Sequence, residues 1–286
     1  MLAGYQVISL PVRGDGKGDN VLAHAAAIAH QFGGHVQVLH CRARVEDLMP
    51  FGVVVPGFMR KQLEDAVSTN AQVEEDALHQ EFRDLAGALG LSEQGPERGT
   101  ATASFIEFSG KQTAAVREYG RLSDLVCVPQ PDDAVKLGSN TLVSALFSTG
   151  RPVLMCPEQE TPPKRIGAHV AIAWNGSMEA TRAVTLGLPM IRTAQTVTIL
   201  TGGETPNAAS PQDLKTYLEL RGIEAGIRAF SGSGNVGNQL LAETEAAGAD
   251  LLVMGAYHDS YEKEVLLGGN TQTIAQKARI PVLMIH

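Results

Sequence analysis

The chain is poor in cysteine and in positive charge, and it has no long apolar run. Three cysteines in 286 residues, Cys41, Cys127 and Cys156, form neither an even set nor a metal-ligand spacing. That argues against a disulfide framework or a zinc module, and a reducing, cytoplasmic compartment is expected. The formal net charge is −8, and neither half carries a Lys/Arg block. A surface for DNA or RNA must neutralise phosphates, so no nucleic-acid partner is expected. A single nucleotide is still compatible, because backbone N–H groups hold phosphate without Lys or Arg. No segment is long and apolar enough for a bilayer span, so no membrane association is expected. The first residues, MLAGYQVISLPVRGDGKG, lack a basic stretch ahead of an apolar one, so no signal peptide is expected. There is no Walker-type phosphate loop, no His-Glu-x-x-His helix, no Gly-x-Ser-x-Gly elbow and no Cys-x-x-Cys pair. What is present is an ordinary globular composition, 44% hydrophobic and 19% charged, at a length that fits one large or two ordinary domains.

The chain repeats itself. Asp124-Leu-Val-Cys-Val128 resembles Asp250-Leu-Leu-Val-Met254, and Pro152-Val-Leu-Met155 returns as Pro281-Val-Leu-Met284. Between them lie Gly138-Ser139-Asn140-Thr141 and Gly268-Gly269-Asn270-Thr271, and upstream Phe108-Ser109-Gly110 recurs as Phe230-Ser231-Gly232. Four pairs in one order argue for two copies of one domain. Each copy alternates continuous Val/Ile/Leu runs with amphipathic stretches, the pattern of buried parallel strands covered by helices on both faces. Strands are expected near 5–12, 35–41, 102–108, 124–129 and 152–156, then 169–174, 196–201, 225–231, 250–256 and 281–285. Helices are expected near 19–32, 59–89, 111–121 and 140–148, then 178–192, 211–221, 236–247 and 270–278. The expected domains are 1–157 and 166–286, joined by the polar, Pro-rich Glu158–Arg165. The first copy carries a long insertion after its second strand, including the apolar stretch Met49–Phe58, read as a packing element or a lid.

Open α/β sheets bind ligands at the carboxyl ends of their strands, where the strand order reverses. In the second copy the loop after the fourth strand runs from Gly255 to Gly268-Gly269-Asn270-Thr271, where a helix begins. Glycines permit close backbone approach, and a helix N-terminus offers N–H groups to a phosphate, with the Thr271 hydroxyl as an extra donor. The competing reading is a Gly-rich turn capped by Asn270. Gly232-Ser-Gly234-Asn-Val-Gly237 has dinucleotide-type spacing but follows the third strand, and it is read as a tight strand-to-helix turn beside the phosphate pocket.

These features resemble the universal stress protein family, in a tandem two-domain form. The family pattern is Gly, two residues, Gly, nine residues, then Gly and Ser or Thr. Gly255, His258, Gly268 and Gly269 keep that spacing, with His258 at the middle glycine and Gly269 at the Ser/Thr place. Ala173-Trp174-Asn175-Gly176-Ser177 is similar to the family's Asp-Gly-Ser turn, with Asn175 at the Asp position. The resemblance implies two Rossmann-like sheets of the adenine nucleotide alpha hydrolase type, each of strand order 3-2-1-4-5. It implies one ATP or other adenine nucleotide, with or without Mg, held by Ala173, Asn175, Gly176, Ser177, Gly255, His258, Gly268, Gly269, Asn270 and Thr271. His258 is read either as a phosphate donor or as a solvated loop residue.

The first copy departs from the pattern. Pro129 stands at the place of Gly255, the loop to Gly138 is four residues shorter, and Asp132 and Asp133 fall where phosphate would lie. That copy is expected to have become a partner for the second, with the Pro-Val-Leu-Met strands pairing inside one chain and a homodimer as a further possibility. The strand order that the resemblance implies makes the strands of Cys127 and Cys156 neighbours, and both are read as buried thiols. The functional expectation is a non-catalytic, nucleotide-binding regulatory protein of stress response. The alternatives are an interaction module of the same fold without nucleotide, and a slow nucleotide hydrolase.

Overall fold

The computed structural model describes residues 4–12, 18–42, 77–131, 138–161, 163–203, 209–256 and 269–286. The first half contains β1 (Val7–Val12), α1 (Gly18–Phe32), β2 (His35–Arg42), α2 (77–88), β3 (Ser92–Glu93), β4 (Thr102–Ser109), α3 (Gln112–Gly120), β5 (Leu125–Pro129), α4 (Ser139–Ser148) and β6 (Val153–Cys156). The second half contains β7 (His169–Ala173), α5 (Met178–Thr193), β8 (Thr196–Gly202), α6 (Pro211–Glu219), β9 (Gly226–Phe230), α7 (Val236–Ala246), β10 (Leu251–Gly255), α8 (Asn270–Lys277) and β11 (Val282–Ile285). The two copies read from the repeat are therefore structural copies, each a doubly wound α/β unit. The expected insertion, with Met49–Phe58 and most of the helix expected over 59–89, lies outside the described residues; its final part is α2.

One sheet runs through the molecule in the order β3-β4-β2-β1-β5-β6-β11-β10-β7-β8-β9. Within each half the order is 3-2-1-4-5, and all pairings inside a half are parallel. The halves meet where β6 and β11 pair antiparallel, Met155 opposite Val282, Leu154 opposite Leu283 and Val153 opposite Met284. Two copies of the Pro-Val-Leu-Met segment thus close each other's open edge, the usual remedy for an exposed row of backbone N–H and C=O groups. The sequence reading missed β3, a two-residue strand added parallel to β4.

The repeated Asp-Leu signal has a physical cause. The Asp124 carboxylate accepts from the N–H groups of Gln6 and Val7, at 2.8 and 3.0 Å. Asp250 does the same for Ala168 and His169, at 3.0 and 2.7 Å. Each carboxylate pins the start of its half's central strand to the strand beside it, using charge-assisted bonds to two backbone donors.

Helices cover both faces of the sheet, the edge strand β9 staying largely exposed. On one, α1 and α5 are linked across the junction by the Gln31 amide donating to the Thr193 hydroxyl, and the Tyr5 hydroxyl donates to the Leu186 carbonyl. On the other, α4 and α8 flank the junction. The Gln130 amide donates to the carbonyls of Ala275 and Ala278, and the Phe147 ring lies 4.2 Å from that of His286. Cys127 and Cys156 are free, fully buried thiols on the neighbouring strands β5 and β6; burial, then Cys127 beside it, pushes the Cys156 thiol up. Among the described residues no helix is long and apolar enough to cross a membrane.

Candidate functional site

The strand order of the second half reverses between β7 and β10. At the carboxyl ends of those strands a cleft of about 140 Å³ opens. Its walls are Ala173 and Trp174 at the end of β7, Leu200 and Gly202 of β8, Phe230 of β9, Met254 and Gly255 of β10, and Val236, Leu240 and Ile274 from α7 and α8. This is a mostly apolar hollow. The Phe230 ring lies across Gly202, where an added Cβ would come within 2.3 Å of it.

Three helices begin at this cleft. Ser177 caps α5, its hydroxyl accepting from Ala180 N–H at 3.1 Å. Asn235 caps α7, accepting from Asn238 N–H at 2.9 Å. Gly269 is the N-cap of α8 and, having no side chain, brings no side-chain cap. The positive ends of three helix dipoles therefore converge on one hollow, an arrangement that favours a negatively charged group. Glu179, in the first turn of α5, sets a carboxylate on the rim and works against that field.

Of the residues read from the sequence, Ala173, Asn175, Ser177, Gly255, Asn270 and Thr271 are brought together around the cleft. Gly176 is in the same turn, at φ 71°, a conformation that favours glycine. His258 and Gly268 lie outside the described residues. The geometry gives several of these residues a local task. Asn175 is exposed, and its Oδ1 accepts from Ser177 N–H at 3.1 Å, shaping the turn into α5. Asn270 is not the cap expected as the competing reading: Gly269 is the N-cap, and Asn270 Oδ1 instead accepts from Gly237 N–H at 3.0 Å, tying α8 to α7. Gly255 is required by packing, since a Cβ there would lie 2.6 Å from Glu179 Cβ and 2.7 Å from the Ala180 nitrogen. Thr271 is buried.

Of the dinucleotide-like glycines, Gly232 and Gly237 are accounted for by packing, whereas Gly234 has open space around it and is set by its φ of 74°. A Cβ on Gly232, which sits at φ 65°, would come within 2.6 Å of the backbone of Gly202 and Gly203, and one on Gly237 within 2.9 Å of the Thr273 side chain and 3.0 Å of the Asn270 carbonyl oxygen. The turn is tight, as expected, and its contribution to the cleft is the Val236 side of α7. The sequence reading missed Trp174, Glu179 and the apolar walls Leu200, Phe230, Leu240, Met254 and Ile274. Of these, Phe230 had a usable signal, the Phe-Ser-Gly triplet that recurs in both halves. Among the described residues, no cluster of His, Cys, Asp or Glu is arranged to hold a metal ion.

Residues 204–286 match the family model described as "Universal stress protein family". The likeness to that family therefore lies in the second half. The match begins after β8, so it takes in α6, β9, α7, β10, α8 and β11 but not the Asn175–Ser177 turn. A search of curated proteins finds no match. Among solved structures, a universal stress protein from Archaeoglobus fulgidus DSM 4304 is similar at 16% identity and TM-score 0.73, covering 98% of this chain and 97% of that one. A functionally unknown protein from Pseudomonas aeruginosa PAO1 is similar at 16% identity and TM-score 0.59, covering 98% and 92%. At such identities the likeness establishes the fold, and it extends over both halves of the chain. The fold of the chain, over both halves, is thus the fold of these solved structures.

Proposed function

We propose that this chain is a nucleotide-responsive regulatory protein acting in stress response, in which one adenine nucleotide binds the second half. The base would enter the apolar cleft and the phosphates would follow the loop from Gly255 to Thr271, with His258, Gly268 and Gly269 on that path. One observation carries the reading: three helix N-termini meet at an apolar hollow at the strand-order switch. Such a hollow suits a molecule with one flat, weakly polar end and one anionic end. The domains would be 1–157 and 166–286, the first serving as a built-in partner. We read the role as regulatory rather than catalytic.

A second reading, an interaction module without nucleotide, draws on a different observation. The side-chain oxygens of Asn175, Ser177 and Asn270 all accept from backbone N–H groups, and Glu179 adds negative charge to the rim. Melting the protein with and without ATP separates the two. A nucleotide at 100 times its Kd adds about 2.7 kcal/mol of stability. An unchanged midpoint at millimolar ATP supports the interaction module. Gly268→Val should remove the ATP effect while leaving the unliganded melt intact; unchanged ATP affinity in that variant refutes the phosphate placement.

A further inference from the structure

We propose that the first half holds a second small-molecule site, on the opposite face of the sheet, for a planar aromatic cation about the size of an indole. A cavity of about 250 Å³ lies between the sheet and the pair α1 and α2. Its walls include Val12, Val38 and Phe105 from β1, β2 and β4, with Leu22 of α1 and Phe82 of α2. It faces away from the nucleotide cleft. The wall residue on β2 is Val38, whereas the β8 residue in the cleft is Leu200, which pairs as Leu39 does on the other side of the pleat.

The repeat shows why the cavity exists. Val7 and His169 are equivalent, since Asp124 binds the N–H of one and Asp250 that of the other. Counting along the strands from that pair sets Val12 opposite Trp174 in the repeat. In the second half that position is filled by the chain's single tryptophan, which is 7% exposed and packed in the core on this face. Its indole N–H donates to the Ala209 carbonyl at 2.9 Å. Valine is smaller by most of an aromatic bicycle. The first half therefore has a gap where the second half places its own indole, and aromatic rings line it. Phe82 and Phe105 sit 5.4 Å apart by ring centroid, and His40 stacks on Phe105 at 5.7 Å. A dry cavity of roughly 150 Å³ already takes a benzene ring, so this one has room for two fused rings.

Charge sets the class. Asp19 and Glu81, both exposed, stand at the mouth, and among the described residues no Lys or Arg lines the cavity. Neither carboxylate is in an ion pair among the described residues. An aromatic body with a cationic substituent gains from both carboxylates and from the ring faces, whereas an anionic one is repelled.

Three probes test this: tryptamine, indole and indole-3-acetate, each titrated by calorimetry at low ionic strength. Tryptamine should bind most tightly and indole-3-acetate at least about tenfold more weakly. Asp19→Asn with Glu81→Gln changes two exposed positions, and it should bring tryptamine to within about threefold of indole. Val12→Trp should fill the cavity and abolish tryptamine binding. If that variant does not fold, the carboxamide pair and transferred NMR contacts from tryptamine to Phe82 and Phe105 decide. No tryptamine binding to the wild type, equal binding of the three probes, or contacts confined to the second half would overturn the proposal. So would binding that appears only when Phe51 and Phe58 are replaced by serine, which would make the chain's own insertion the occupant.

Discussion

At the scale of the residue, much of the loop chemistry is fixed by space. Gly255 is adjacent to the first turn of α5, where a Cβ would lie 2.6 Å from the Glu179 carbonyl carbon. That neighbour is backbone and cannot swing aside. Gly255→Ala should therefore cost about 1–3 kcal/mol in a urea titration; a neutral substitution would mean that α5 can withdraw from β10. His24 offers a pH test. It is fully buried on α1, its Nδ1 lies 2.7 Å from the Asn20 carbonyl, and its Nε2 has no hydrogen-bond partner. Burial holds its pKa below the ordinary 6.5, despite the opposing bond to Asn20. The unfolded chain then binds the proton more readily than the folded one. The stability His24 contributes is complete above about pH 6.5 and is lost as pH falls toward the lowered folded value. Burial lowers His35 in the same way. The urea midpoint should drop between neutral pH and pH 5, and His24→Leu should flatten part of that drop. An identical pH profile in the variant would exclude His24 as a source.

At the scale of the element, helix ends carry the burden. α7 and α8 are tied by Asn270 Oδ1 accepting from Gly237 N–H, and their close approach depends on Gly237. Asn270→Ala leaves that N–H without its acceptor and should cost about 1–2 kcal/mol. If nucleotide binding also weakens, the α7–α8 pair is what holds the floor of the cleft; if it does not, Asn270 acts on stability alone. The corresponding helices of the first half are tied differently, by the Thr141 hydroxyl donating to the Gln112 side-chain carbonyl at 2.8 Å. The two copies have thus kept the contact between these helices while exchanging the residues that make it.

At the scale of the whole molecule, the junction decides the assembly. β6 and β11 are each four residues, fully buried and antiparallel, with Leu154 facing Leu283. Leu283→Lys should place an ammonium in the centre of the continuous sheet and melt both halves together, several degrees or more below wild type. Separate transitions, with only the second half shifted, would show that the halves fold as independent units. Separately expressed residues 1–160 and 164–286 should each expose this edge and self-associate. Two monomers with no mutual affinity would contradict a junction-dependent fold. Nucleotide stoichiometry belongs to the same scale. Equilibrium dialysis with labelled ATP should give one site per chain; two equivalent sites would mean that Pro129 and the shorter first loop do not matter.

The linear sequence by itself determined the repeat, the alternation of strands and helices, and the parallel class. These follow from local periodicity and from buried strands that must be apolar on both faces. Asp124 and Asp250 were visible as a repeated letter, although what they bind was not. Tertiary structure alone decided which glycines serve packing. Gly255 and Gly237 look like ligand glycines until the facing helices, distant in sequence, come within 3 Å of where a Cβ would stand. It also decided the walls of the cleft, because Leu200, Leu240 and Ile274 look like ordinary core residues until strand ends and helix starts are brought together. Finally, it set Val12 against Trp174. That the two positions are equivalent shows only when the strands of the two copies are aligned from Asp124 and Asp250.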